Sequence, residues 1–116
     1  MLRISHCELM ERWALTYRED GYEVRAEEVS GLPVPEPIDG IVPDLEATKD
    51  GHRVLVKIIE AVECLDDPNL REALVTLSQQ RNENCVLHVV VAAECASGIK
   101  EKFDEWGVHA DTVHVT

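Results

Sequence analysis

The stretch Gly40–Glu60, GIVPDLEATKDGHRVLVKIIE, decides the fold. At its centre Lys49-Asp50-Gly51 is a turn signal, because Asp-Gly readily supplies the two left-handed residues of a tight hairpin. Ile41–Ala47 before it reads as a strand. Arg53–Ile59 after it is nearly continuous in apolar character, the pattern of a central strand covered on both faces. Two features break the apolar pattern. Pro43-Asp44 opens the first strand, and Lys57 stands inside the second.

Outward from the hairpin, periodicity places the remaining elements. Ser5-His6-Cys7-Glu8 has the spacing of a capping box, so a helix is predicted from Ser5 to about Asp20 with Gly21 as its stop. Leu9, Trp13 and Tyr17 share one face of it, widened by Met10 and Ala14. Tyr22–Glu27 alternates apolar and polar residues, as a half-buried strand does. The segment Ser30–Gly40, SGLPVPEPIDG, holds three prolines and two glycines and reads as a long loop.

Beyond the hairpin, Asp67-Pro68 opens a helix that buries Leu70, Ala73, Leu74 and Leu77 and ends at Asn82–Asn84. Cys85–Ala93 is a buried strand. Ser97 is the expected cap of a last helix reaching Trp106, with Gly107 as stop, and Asp111–Thr116 is a short final strand. The order α-β-β-β-α-β-α-β over residues 1–116 predicts a single α/β domain. Its first three strands form an antiparallel meander, and its third and fourth run parallel across the middle helix. Helices cover both faces of the mixed sheet.

Composition narrows the function. The formal net charge is -12, which disfavours general affinity for nucleic acid. The basic residues are scattered and form no tail. The cysteines Cys7, Cys64, Cys85 and Cys95 make no Cys-x-x-Cys pair, so no structural zinc is expected. Arg3, His6 and Glu8 interrupt any leader-like run, and no apolar stretch nears the ~20 residues of a membrane span. A cytoplasmic chain with reduced thiols and no membrane partner is the expectation.

The motifs add a resemblance. Glu11-Arg12 stands on the first helix, Gly21-Tyr22-Glu23-Val24-Arg25 leads into the first strand, Ser30-Gly31 opens the loop, and Pro43-Asp44 follows. In order and spacing this resembles the PD-(D/E)XK, restriction endonuclease-like nuclease superfamily, nearest in pattern to archaeal Holliday junction resolvase-like proteins. The resemblance implies a restriction endonuclease-like fold and a homodimer. It also implies a site where carboxylates hold Mg2+ against a DNA phosphate beside a lysine.

The second half of that motif departs from the pattern. The family's acid falls at position 57 and its lysine at 59, where this chain has Lys57 and Ile59. One charge pair at ~5 Å and an effective dielectric of ~20 is worth roughly 3 kcal/mol, and a lysine in the acid's place reverses its sign toward a metal.

Two relocations would restore the carboxylates. Glu46 shares Asp44's face, and a bulge would turn Glu60 to the site. Glu11, Asp44, Glu46 and Glu60 are then the candidate metal ligands, and Asp44, Lys57 and Glu60 the candidate catalytic residues. The plainer reading pairs the Lys57 ammonium with Asp44 or Glu46 across the hairpin. Three functions stay open. The first is a degenerate nuclease-fold binding or assembly module without metal-dependent cleavage. The second is a Mg2+-dependent DNA endonuclease or resolvase with relocated ligands. The third is an α/β protein of unrelated role.

Overall fold

A computed structural model describes residues 6–27, 29, 31–60 and 67–116, with only the backbone of residues 6 and 7. The expected cap at Ser5, and Ser30, lie outside the described residues. Strands β1 (Glu23–Ala26), β2 (Leu45–Lys49), β3 (His52–Ile59), β4 (Cys85–Val91) and β5 (Thr112–Val115) form one sheet. Their spatial order is that of the chain, β1-β2-β3-β4-β5. β1 to β3 are the antiparallel meander, and β3, β4 and β5 run parallel. The helices are α1 (His6–Glu19), α2 (Pro68–Ser78) and α3 (Ala96–Trp106).

Two turns set the geometry of the meander. Asp50 and Gly51, at φ 51° and 83°, are the two-residue loop that joins β2 to β3 with Lys49 opposite His52. Gly21, at φ 93°, ends α1 and swings the chain into β1. A side chain there would meet Lys49, whose Nζ donates to the Asp20 carbonyl at 2.8 Å. The left-handed backbone and the close lysine both favour glycine.

Alternation along β3 divides the core in two. Val54, Val56 and Ile58 pack with Leu45, Ala47 and Val90 against Leu9, Met10, Ala14 and Tyr17 of α1. Leu55 and Ile59 face the other way. They pack with Leu87, Val89 and Val91 against Leu70, Leu74 and Leu77 of α2 and Ile99 and Phe103 of α3. β3 is therefore the strand covered on both faces, as its composition predicts.

Several boundaries differ from the sequence reading, among them β4, which ends at Val91 rather than Ala93, and β1, which is trimmed to Glu23–Ala26. β2 begins at Leu45 rather than Ile41, because Ile38 and Ile41 bond each other in a small bridge and Pro43 has no N–H to give. α2 ends at Ser78, not at Asn82. Ser97 caps nothing: a 3-10 turn, Ala93–Cys95, runs into α3, and Cys95 takes the cap position without a side-chain bond. The caps at Asp67, whose carboxylate accepts from Asn69 N–H at 2.8 Å, and at left-handed Gly107 are as expected. Among the described residues no helix is long and apolar enough to cross a membrane.

α1 is fastened to the sheet by rings as well as by aliphatic packing. The Tyr17 hydroxyl and His88 Nδ1 are 2.7 Å apart. The Trp13 ring lies 4.6 Å from that of His114, and the His88 and His114 rings are 5.6 Å apart. His114 is half-buried beneath α1. Burial, with the second imidazole nearby, holds the His88 pKa below the usual histidine range.

Two stability predictions follow from this packing. Leu55→Ala is expected to cost about 2–5 kcal/mol in urea unfolding, while Val115→Ala at the exposed edge costs under about 0.5 kcal/mol. For His88, the unfolded chain takes up the proton more readily than the folded one. Its contribution is complete above the ordinary value of 6.5 and is lost as pH falls below it. Urea midpoints of the wild type should drop between about pH 7 and pH 5, and His88→Gln should flatten that slope.

Candidate functional site

The site is built on the open end of the β2–β3 hairpin. Leu45 stands opposite Val56 and points to the α1 core, so Asp44, Glu46 and Lys57 point to the opposite face. Asp44 is buried at 5% exposure and Glu46 at 8%. β3 extends beyond the start of β2, which leaves the Ile58 N–H facing sideways past the last residue of its neighbour. Asp44 fills that gap: its Oδ2 accepts the Ile58 N–H at 2.7 Å, while its own N–H donates to the Val56 carbonyl at 3.0 Å. A side-chain carboxylate thus continues the ladder where the backbone has turned away.

The same Oδ2 lies 3.4 Å from Lys57 Nζ. The pair expected across the hairpin is present, with Asp44 as the partner. Glu46 has a different one. Arg53 Nε donates to its Oε2 at 2.9 Å, and Arg53 Nη2 donates to the same oxygen. Arg53 was not singled out in the sequence. Its signal was parity: Glu46 and Arg53 flank a two-residue turn in diagonal register and share a face.

The other candidates stand apart from this cluster. Glu11 is exposed on α1, on the other face of the sheet from Asp44 and Lys57. Glu60 follows β3, whose register with β4 runs without interruption from Arg53 to Ile59, so no bulge turns Glu60 toward Asp44. It shares with Lys57 a cleft of about 250 Å3 that Asp67, Asn69 and Leu70 close from the start of α2. Cys64 lies outside the described residues.

A divalent ion needs oxygens that converge on it with net negative charge. Here the two buried carboxylates each face a side-chain cation, and the Asp44 oxygen that meets Lys57 also holds a backbone amide. This donor set, as arranged, does not fit Mg2+. What it does chemically is neutralise itself: two acids and two bases alternate on one face of the hairpin, each matched inside the protein.

The chain matches no family model, no curated protein and no solved structure. Function is therefore read from this geometry.

The ion pair and the ladder bond can be separated by substitution. Asp44→Ala leaves both the Ile58 amide and the Lys57 ammonium unmatched and should cost about 2–4 kcal/mol. Asp44→Asn keeps an acceptor for the amide and should cost less. Lys57→Met leaves a buried carboxylate without its cation, at about 1–3 kcal/mol. Adding Lys57→Met to Asp44→Asn should cost less than the sum of the two, which urea denaturation of the four proteins measures.

Proposed function

We propose that this chain is a restriction endonuclease-like protein whose hairpin site is degenerate, acting as a binding or assembly module rather than cleaving DNA by the metal mechanism. The observation that carries the reading is the Lys57 ammonium on Asp44. A protein cation occupies the place beside the first carboxylate where the resembled nucleases put a metal. The strand order supports the fold part of the proposal, since an antiparallel meander joined to a parallel fourth strand is what the resemblance implies. The net charge of -12 supports the functional part, because a DNA phosphate approaches such a surface against repulsion.

The competing reading is a Mg2+-dependent endonuclease or Holliday junction resolvase that uses Glu60. It draws on the position of Glu60 beside Lys57 in the cleft under α2. It requires Lys57 to leave Asp44 and Glu60 to approach it.

Incubation with branched and linear DNA in Mg2+ or Mn2+ tests the proposal. The expected result is no cleavage by the wild type. Metal-dependent cutting that disappears in a folded Asp44→Asn variant overturns it. A gain-of-binding experiment probes the same point from the other side. Lys57→Glu sets a second carboxylate against Asp44, a repulsion that a divalent ion relieves. Isothermal titration should then show Mn2+ binding to the variant that the wild type lacks, and Mn2+ should raise the melting temperature of the variant alone.

A further inference from the structure

β1 is an edge of the sheet, and part of its outer side is open. Glu27 N–H donates to the Asp44 carbonyl, so in this antiparallel pair Glu23, Arg25 and Glu27 turn their backbone groups toward β2. Val24 and Ala26 turn theirs outward. Ala26 N–H donates to the Pro33 carbonyl at 2.9 Å. Among the described residues nothing pairs with the outward N–H and C=O of Val24.

These groups open on a cleft of about 510 Å3, lined by Arg18, Tyr22, Val24, Arg25, Leu32 and Pro33. Arg18 is in the last turn of α1, on the face of the sheet that the helix covers. Arg25 stands opposite Glu46, on the other face. The outward backbone of Val24 thus has an exposed arginine on each side. Among the described residues neither guanidinium has an ion-pair or hydrogen-bond partner. Glu46 also borders the cleft but is taken by Arg53, which leaves Glu23 as the remaining acid of the lining. The cleft is locally basic in a chain whose net charge is -12.

We infer that the β1 edge captures an extended acidic segment of a partner protein, which joins the sheet as a further strand. Paired antiparallel, the residue opposite Val24 exchanges both hydrogen bonds with it, and its side chain points to the face of Arg18. The residue before it stands opposite Arg25 and points to the other face. A carboxylate at each of these adjacent positions meets one guanidinium. Main-chain bonds hold the segment, and the arginines select it.

Charge and length choose this occupant. A basic segment would set its cations against Arg18 and Arg25. DNA has no row of N–H and C=O groups to offer Val24. Pro33, bonded to Ala26, closes the groove at one end, so the edge takes a short segment rather than the whole edge of another sheet. The inference gives the binding part of the preceding proposal its surface and rests on that part alone. Cleavage assays test the hairpin and peptide binding tests the edge, so either can fail without the other.

Fluorescence anisotropy of the full chain with the labelled peptide acetyl-Gly-Glu-Asp-Val-Thr-amide is the test. One comparison peptide replaces Glu-Asp by Lys-Lys, and another carries a methyl group on the Asp amide nitrogen. The expected result is saturable binding of the acidic peptide, weaker by about tenfold or more for either comparison peptide. R18E and R25E should each weaken the acidic peptide by about tenfold with far-UV circular dichroism unchanged, and the double variant should prefer the Lys-Lys peptide. An acidic peptide that does not bind overturns the inference. So does a methylated peptide that binds equally well, or an affinity unchanged in both arginine variants. Sedimentation covers the other occupant: a dimer of the chain that the peptide dissociates shows a second copy on this edge and overturns the inference as well.

Discussion

β3 is covered on both faces, and that constraint governs most of what surrounds it. A strand in that position shows water little of its buried middle, so the polar groups there must find partners inside the protein. The backbone of β3 bonds β2 on one side and β4 on the other. Of its three polar side chains His52 is exposed at the turn, while Arg53 and Lys57 reach the two buried carboxylates of β2 and its approach. Where β2 stops short, the Asp44 carboxylate takes over as acceptor for Ile58. The charged face of the hairpin is the polar accounting of a buried strand.

That accounting bears on function because the same groups would be asked to hold a metal. The Asp44 oxygen that holds the Ile58 amide also holds the Lys57 ammonium, so it is committed to the protein. Position 57 carries a lysine, whose ammonium needs an acid nearby and takes Asp44. Ile59, two residues on, is apolar. It is buried in the core under α2 and α3, where a lysine would have no room for its charge.

Most elements were legible because local patterns state them. Alternation named β1, apolar continuity named β3 and β4, Asp50-Gly51 named the turn, and Asp67-Pro68 named the start of α2. Boundaries were less legible where alternative bonds compete. Ser97 looks like a cap, but the chain enters α3 through a 3-10 turn closed by Cys95 N–H on the Ala92 carbonyl. Ile41 looks like strand, but its partner is Ile38 across a local bend and not β3. His114 looks exposed in a short polar strand, and only the docking of α1 covers it.

By itself the sequence determined the element order, the central place of β3 and the lysine in the middle of its apolar run. These follow from periodicity, turn chemistry and residue type, which act over a few neighbours. Only the tertiary structure decided which acid each cation meets. Asp44 and Glu46 share a face and were equivalent on parity, yet Lys57 goes to Asp44 and Arg53 to Glu46. The register of the hairpin settles it. Leu45 opposite Val56 sets Asp44 beside Lys57 at the open end and leaves Glu46 within diagonal reach of Arg53 near the turn. Register is a property of the paired strands, fixed by which side chains the two cores accept, and neither strand holds it alone.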